Sequence, residues 1–237
     1  MDIFHYFYRP KEESMNIIIT GASRGIGAEL VKIFARHKGN QVVAISRNGE
    51  GLRKLVLECA KLNTDSKIHP VEFDLTQFDF YSFLVQKIEL IFRHCDVLIN
   101  NAGKLVNKPV GKMEAQDFDD IFNVNVKSPF FLIQHLLPIM NKGGHIVNIS
   151  SMGGVQGSKK FKGLSLYSAS KGALAVLTES LAEELSEKEL SVNCLALGSA
   201  QTEMFEKAFP GMKAMQSPQQ MAQFMSHGAE QVVMVER

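Results

Sequence analysis

The chain has 237 residues, 45% of them hydrophobic and 22% charged, which is an ordinary balance for a globular protein with a buried core. Its 26 basic and 25 acidic residues give a net charge of +1, so bulk charge gives no reason to expect nucleic acid or an anionic membrane as a partner. The cysteines, Cys59, Cys95 and Cys194, show neither disulfide nor zinc-ligand spacing, so no metal site is predicted.

Residues 1–14 precede the first predicted strand, and we interpret them as an N-terminal extension. They lack the apolar core of a signal peptide, and no apolar run in the sequence approaches the roughly 20 residues that a membrane helix needs. We therefore expect a reducing, cytoplasmic setting and no membrane partner. The extension contains aromatic residues that could pack on the body of the protein or on a partner, namely Phe4, Tyr6, Phe7 and Tyr8.

Short β-branched runs predict strands at 16–20, 41–46, 67–73, 96–100, 145–150, 191–197 and 231–235. Apolar residues at helical spacing fill the stretches between them, including 130–140 and 174–185. Apolar strands that alternate with helices predict a single doubly wound parallel sheet of about seven strands, covered by helices on both faces and of Rossmann type. Residues 15–237 are therefore predicted to form one domain.

A glycine-rich loop, TGASRGIG at 20–27, follows the first predicted strand and opens the first predicted helix. Glycines allow a tight turn and a close approach of the backbone to a phosphate, and the helix N-terminus offers free N–H groups and the positive end of its dipole. We predict nucleotide binding here, although the G-x-x-x-G-x-G spacing differs from the common G-x-G-x-x-G pattern. The alternative is a glycine turn that only packs.

The second predicted strand ends in Ser46 and Arg47, where an NAD-binding site usually has an acidic residue for the ribose 2′-hydroxyl. Another arginine, Arg24, lies in the glycine loop. Because two guanidinium groups suit a 2′-phosphate, we predict NADP(H) rather than NAD(H) as the cofactor. The alternative for each arginine is a solvated surface residue.

Tyr167 and Lys171 stand four residues apart in YSASK, a spacing that places them on one face of a helix. A free tyrosine has a pKa of about 10, and a nearby cation favours the phenolate and lowers that pKa. The pair could therefore be a proton-transfer device. Many solvated helix faces carry such a pair, however, so the rest of the chain has to decide.

Five motifs in order resemble those of the classical short-chain dehydrogenase/reductase family. They are TGASRGIG at 20–27, NNAG at 100–103, Asn125 within FNVNVKSPF, IVNISS at 146–151 and YSASK at 167–171. The resemblance covers the chain from residue 15 to residue 235. It implies an NADP(H)-dependent oxidoreductase that transfers a hydride between nicotinamide and a small-molecule carbonyl or alcohol substrate.

The resemblance also implies residue roles. Tyr167 would be the general acid or base, and Lys171 would lower its pKa and bind the nicotinamide ribose. Ser151 would hydrogen-bond the substrate oxygen, whereas we interpret Ser150 as a packing residue. Asn125 would anchor a water molecule in a proton path from Lys171. The further cofactor residues implied by the resemblance are Gly21, Ser23, Arg24, Ile26 and Gly27 for the pyrophosphate and adenosine, Asp74 and Leu75 for the adenine, Asn101, Ala102 and Gly103 for the ribose, and Thr202 for the carboxamide or a phosphate.

The sequence departs from the family pattern in several places. Leu197-Gly198 replaces the usual Pro-Gly, and an added stretch, GSKKFKG at 157–163, lengthens the gap between Ser151 and Tyr167. The sequence ends at Arg237, soon after the last predicted strand, so we expect a shortened C-terminal tail. Lysines near the active-site mouth could attract an anionic substrate or could be solvated loop charge; they are Lys104, Lys108, Lys112, Lys159, Lys160 and Lys162. The segment 203–215 corresponds to a substrate lid in the family, but it could equally be a packed helix.

Two other functions compete with the oxidoreductase. One is a non-catalytic NADP-binding redox sensor or partner protein, and the other is an epimerase or dehydratase of the same fold. The complete Ser, Tyr, Lys and Asn set argues against the first, and the compact length argues against the second. From the resemblance we also expect a homodimer or homotetramer, with interfaces formed by helices near 113–141 and 167–187.

Overall fold

The computed structural model describes residues 14–62, 65–227 and 233–235. The aromatic cluster of the predicted extension and the first residues of the predicted last strand, Gln231 and Val232, lie outside these described residues. Within the described part of the chain, no helix is long and apolar enough to cross a membrane.

Strands and helices alternate along most of the chain. The strands are β1 (Asn16–Thr20), β2 (Gln41–Ser46), β3 (Lys67–Glu72), β4 (Cys95–Asn100), β5 (Met140–Ser151), β6 (Ser191–Leu197) and β7 (Val233–Val235). The α-helices are α1 (Gly25–Phe34), α2 (Gly49–Ala60), α3 (Tyr81–Glu89), α4 (Ala115–Phe122), α5 (Ser128–Leu136), α6 (Ser165–Glu184), α7 (Glu203–Ala208) and α8 (Pro218–His227). A π-helical segment, Asn123–Lys127, joins α4 to α5.

All the strands form one sheet in the order β3-β2-β1-β4-β5-β6-β7. Strands β1 to β6 are parallel, as predicted for a doubly wound sheet, but β7 pairs with β6 in the antiparallel direction. The prediction of parallel strands is therefore wrong for the last strand. An apolar run shows that a strand is buried but does not encode the direction in which it pairs.

Two hydrophobic cores cover the two faces of the sheet because side chains alternate along each strand. Ile17 and Ile19 of β1 belong to one core together with Leu30 of α1. Ile18, between them in sequence, belongs to the other core together with Leu132 of α5. This arrangement confirms the prediction of helices on both faces.

The predicted helix at 130–140 is too long, and the strand predicted at 145–150 is too short. Helix α5 ends at Leu136, and β5 already begins at Met140. Pro138 ends the helix because it has no N–H for the next backbone bond. Met140 then pairs with Cys95 across an irregularity in the β4–β5 register, a tertiary contact that local spacing does not reveal.

The two outer strands of the sheet differ in how they are shielded. At one side, β3 carries Pro70 in its middle, and its exposed ends are Lys67 and Glu72. At the other side, the short antiparallel β7 pairs with Cys194, Leu195 and Ala196 of β6.

Candidate active site

The predicted site residues gather at the carboxyl end of the sheet. The glycine loop follows β1, Arg47 follows β2, Asp74 follows β3 and the segment 101–103 follows β4, while Ser151 is the last residue of β5. Strand order reverses between β1 and β4. In open α/β sheets, ligands bind in the crevice outside the carboxyl ends of the strands at such a switch point.

The glycine loop packs closely against the turn after β4. Gly21 has a φ of +66°, and a Cβ added there would lie 2.9 Å from Ala102 Cα. A Cβ at Gly27 would lie 2.4 Å from the Gly21 carbonyl oxygen. Both positions therefore require glycine, because protein atoms already fill the space that a side chain would need.

Hydrogen bonds connect the same two loops. The Thr20 hydroxyl oxygen accepts from the backbone N–H groups of Asn101 and Ala102, each at 3.0 Å. The Asn101 side chain donates to the Thr20 carbonyl at 2.9 Å. The NNAG turn is thus fixed to the start of the glycine loop, and its last residue, Gly103, lies beside Lys171.

Helix α1 begins directly after the loop, with Arg24 as its N-cap and with Ile26 in its first turn. Among the described residues, no side chain caps this helix N-terminus. Free N–H groups at a helix N-terminus form a site for an anion. The Ser46 hydroxyl donates to the Ser23 hydroxyl at 2.8 Å, so the end of β2 lies next to this site.

Arg47 and Asp74 face each other at the carboxyl ends of β2 and β3. Arg47 is exposed, and its Nη1 lies 3.7 Å from Asp74 Oδ2. Burial alone would raise the pKa of Asp74, but hydrogen bonds from Thr76 and the Arg47 guanidinium hold that pKa below its ordinary value. The arginine is thus loosely paired and can still meet an anion.

The loop that contains Asp74 and Leu75 is held from two sides. The Leu75 carbonyl accepts hydrogen bonds from the Tyr81 hydroxyl at 2.7 Å and from the Ser128 hydroxyl at 2.8 Å. Asp74 Oδ1 accepts from the Thr76 backbone N–H at 2.9 Å. These bonds fix the segment that the sequence predicts for adenine binding.

Tyr167 and Ser151 come together from α6 and β5. Tyr167 lies in the first turn of α6 and is half-buried. Burial raises the pKa of Tyr167, and a hydrogen bond with the Ser151 side chain opposes that rise. That Lys171 lowers this pKa stays a prediction.

Lys171 points toward β5. Its side chain is 3% exposed, and Nζ donates to the Ile149 carbonyl at 2.6 Å. Burial lowers the pKa of Lys171 to about 8. Ser150 donates to the Lys171 carbonyl at 2.7 Å, which is consistent with our interpretation of Ser150 as a packing residue.

Asn125 lies at the centre of the π-helical segment and is 0% exposed. Its side-chain oxygen accepts from the Lys104 N–H at 2.8 Å, and its Nδ2 donates to the Lys104 carbonyl at 2.9 Å. The same Nδ2 donates to the Ser170 hydroxyl at 2.9 Å. Because π-helical turns are rare and occur frequently at functional sites, the segment marks Asn125 as a special position.

The segment 202–204 lies over the crevice. Thr202 caps α7 by accepting from the Phe205 N–H at 3.2 Å, and its methyl group would lie 3.5 Å from a Cβ added at Gly25. Glu203 forms ion pairs with Arg24 and Lys207. Met204 reaches the neighbourhood of Gly103. The predicted lid is therefore a short helix that contacts the glycine loop.

The added stretch 157–163 packs against the end of that lid. The rings of Phe161 and Phe209 meet edge to face with their centroids 6.3 Å apart. Asn107 donates to the Ala208 carbonyl at 2.7 Å, and the Lys108 N–H donates to the Gly163 carbonyl at 3.1 Å.

Two of the lysines near the site mouth are paired with carboxylates of α4. Lys104 Nζ bonds Asp120, and Lys108 Nζ bonds Asp117 at 2.6 Å. Because each ammonium group already has a carboxylate partner, the two ion pairs support a structural role for Lys104 and Lys108 rather than the attraction of an anionic substrate. Exposed positions remain for the others, which are Lys112, Lys159, Lys160 and Lys162.

Sequence reasoning missed Ser170, Glu203, Tyr81 and Ser128 as neighbours of the site. Ser170, Glu203 and Ser128 act through contacts distant in sequence, such as the 45-residue separation of Asn125 and Ser170, and Tyr81 acts through a loop six residues before it. Only Ser170 carried a local signal, because it lies inside YSASK.

A sequence profile of the short chain dehydrogenase family matches residues 15–213. The chain is 35% identical over 192 residues to the 3-oxoacyl-[acyl-carrier-protein] reductase FabG of Thermotoga maritima, a match that covers 80% of this chain and 76% of that protein.

Solved structures are similar over most of the chain. A short chain dehydrogenase from Shigella flexneri has a TM-score of 0.83 at 29% identity, over 96% of this chain and 90% of the other. A short chain dehydrogenase from Escherichia coli, complexed with NADPH, has a TM-score of 0.78 at 30% identity, over 90% and 89% of the two chains.

Proposed function

The chain belongs to the short chain dehydrogenase family, and from that premise we propose that it is an NADP(H)-dependent oxidoreductase acting on a carbonyl or alcohol group. One observation carries this proposal above all. Ser151, Tyr167, Lys171 and Asn125 converge at the carboxyl end of the sheet, next to the crevice beside the glycine loop.

The residues of the crevice fit a dinucleotide phosphate. The glycine loop offers a closely approachable backbone, and α1 offers an N-terminus without a capping side chain among the described residues. Arg24 and Arg47 are exposed guanidinium groups that suit a 2′-phosphate, and an Escherichia coli neighbour binds NADPH. When bound, NADP(H) supplies or accepts the hydride.

The remaining cofactor assignments follow the family pattern. We propose that Gly21, Ser23, Ile26 and Gly27 meet the pyrophosphate and adenosine and that Asp74 and Leu75 meet the adenine. Asn101, Ala102 and Gly103 would meet the ribose, and Thr202 would meet the carboxamide or a phosphate. Thr202 and Gly25 already lie together across the crevice, which supports a place for Thr202 beside the phosphates.

Tyr167 would donate its phenolic proton to the carbonyl oxygen during reduction. Burial raises the pKa of Tyr167, which by itself makes the phenol a weaker acid, and we propose that the Lys171 cation opposes this rise. Ser151 would hydrogen-bond the same substrate oxygen and stabilise developing negative charge. Lys171, whose pKa is about 8, could exchange a proton near neutral pH and would pass it through the surroundings of Asn125.

We further propose a homo-oligomer that forms through α4, α5 and α6. Phe118 of α4 is 45% exposed and stacks on Phe122, and Phe130 of α5 and Val176 of α6 are also exposed. A second copy of the chain would cover this apolar surface. Sedimentation velocity should show a dimer or larger species, and Phe118→Glu should shift it toward monomer. A wild-type monomer at micromolar concentration would contradict this proposal.

A panel of ketones and aldehydes with NADPH tests the enzyme assignment by the loss of nicotinamide absorbance. We expect turnover by the wild type and, for Tyr167→Phe, a loss of about 10²–10⁴-fold in kcat with NADPH binding retained. Equal rates for the two proteins would overturn the role of Tyr167. Tight NADPH binding without turnover of any compound would instead favour the non-catalytic sensor.

A further inference from the structure

We propose that Ser170 is a positioning residue whose buried hydroxyl holds the Asn125 side chain against α6 and thereby fixes the turn at Gly103 and Lys104 beside Lys171. The inference rests on the proposed oxidoreductase function and deepens it, since it adds a residue to the machinery of the same site.

Ser170 is 0% exposed, and its hydroxyl makes two hydrogen bonds. Oγ donates to the Tyr167 carbonyl at 2.8 Å and accepts from Asn125 Nδ2 at 2.9 Å. A hydroxyl that donates and accepts at once polarises both bonds. Ser170 thus connects the first turn of α6 to the π-helical segment.

Asn125 has no spare donor in this arrangement. Its amide group offers two N–H bonds, and these go to the Lys104 carbonyl and to Ser170. Its oxygen accepts from the Lys104 N–H. Loss of the Ser170 hydroxyl would leave a buried Asn125 N–H without its acceptor, and the side chain would have to turn to find another one.

A turn of Asn125 would disturb the surroundings of Lys171. A Cβ placed on Gly103 would lie 3.6 Å from Asn125 Oδ1 and 3.7 Å from Lys171 Nζ. Lys104 follows Gly103 in the chain, and Asn125 forms hydrogen bonds with both its backbone N–H and its carbonyl. Ser170 therefore acts through Asn125 on the region where the ammonium group lies.

A simpler interpretation is that the Ser170 hydroxyl only donates a hydrogen bond to a backbone carbonyl of its own helix, as helical serines commonly do. Ser180 on the same helix does this, since its hydroxyl donates to the Val176 carbonyl at 3.0 Å and its side chain is exposed. Burial and the bond accepted from Asn125 set Ser170 apart from Ser180. Ser180→Ala is therefore a matched control for Ser170→Ala.

The first readout is kinetic and uses the full chain with NADPH and a carbonyl compound that the wild type reduces. We expect Ser170→Ala to lower kcat about tenfold while KM for NADPH changes less than about twofold. We also expect the apparent pKa in its kcat profile to move by about half a pH unit or more. Ser180→Ala should match the wild type in all of these.

The second readout needs no turnover. Amide hydrogen exchange of the cofactor-free protein should be faster at Lys104 in Ser170→Ala than in Ser180→Ala. If Ser170→Ala equals the control in kcat and in its pH profile, the positioning role is overturned, even where exchange is faster. If the wild type reduces no carbonyl compound, the proposed function fails, and exchange alone then decides whether Ser170 holds Asn125 in place.

Discussion

The two ends of the parallel sheet use polar side chains in different ways. At the amino end, Asp96 accepts from the Asn16 N–H at 2.8 Å and from Asn141 Nδ2 at 2.7 Å, so it joins β1, β4 and β5. At the carboxyl end, Arg47 is exposed and Tyr167 is half-buried. Polar groups at the amino end fasten strands to one another, whereas several at the carboxyl end keep some access to solvent.

We therefore expect the residues that stabilise the fold and the residues that carry out the reaction to lie at opposite ends of the sheet. Substitutions at the amino end should lower the free energy of unfolding and leave the rate per folded molecule unchanged. Substitutions at the carboxyl end should lower the rate per folded molecule without lowering the free energy of unfolding. Four measurements test the separation, beginning with the largest expected effect.

Lys171→Met at the carboxyl end should lower kcat by about 10³-fold, because the buried ammonium that serves the proton path is lost. Steady-state kinetics with NADPH and a reducible carbonyl compound would measure it. Lys188→Met removes an exposed lysine just beyond α6 and should keep wild-type rates. An equal loss of kcat in both variants would contradict a specific role for Lys171 at the carboxyl end.

Asp96→Ala at the amino end should cost about 3 kcal/mol of stability, because two donors lose a charged acceptor. Asp96→Asn should cost less, since the Asn141 amide can turn to present its oxygen. Urea unfolding would measure both, and kcat of the folded variants should be unchanged. A stability within experimental error of the wild type for Asp96→Ala would contradict this structural role.

The stability of Lys171→Met should depend on pH in a defined direction. Burial lowers the pKa of Lys171 in the folded protein to about 8 from an ordinary 10.5, so the folded state disfavours the ammonium and the penalty is complete below about pH 8. The variant should therefore be more stable than the wild type by about 2 kcal/mol at pH 7, after allowance for the lost bond to Ile149.

That advantage should shrink as the pH rises from about 8 to about 10.5, because the lysine of the wild type then becomes neutral in both states. Unfolding curves of the two proteins over this range would measure it. An advantage that grows with pH would show that the folded-state pKa of Lys171 is not depressed.

Arg47→Ala should weaken NADPH about tenfold and change NADH much less, because a charge-assisted bond to the 2′-phosphate is lost. Arg36→Ala, which removes an exposed arginine beyond the end of α1, should leave both affinities unchanged. Titrations that follow cofactor fluorescence would measure both. Equal losses for NADPH and NADH would argue against the 2′-phosphate assignment.

Much of the fold could be predicted because its signals are local. The bounds of β1 and β2 follow directly from their β-branched runs, and the glycine loop follows from its place between a strand and a helix. The start of β5 and the direction of β7 could not be predicted. Both depend on pairing with distant strands, which residue spacing does not encode.

The candidate site divides in the same way. YSASK and the glycine loop could be located because their residues are neighbours in sequence. Other contacts could not be predicted because they join separate elements of the fold. They are the hydrogen bonds of Asn125 with Lys104, the ion pair of Arg24 with Glu203, and the hydrogen bond from Lys171 to Ile149. The burial of Tyr167, which raises its pKa, also depends on the whole fold and cannot be read from neighbouring residues.

The outer strands of the sheet affect how readily the protein aggregates at high concentration. An exposed strand with free backbone groups is a template onto which another chain can add a strand. Pro70 interrupts the donor row of β3, and Lys67 and Glu72 place charges at its ends. On the far side, β7 covers part of the β6 edge by pairing with Cys194, Leu195 and Ala196. Both features reduce the length of backbone that is open to strand addition, which should disfavour fibrous aggregation.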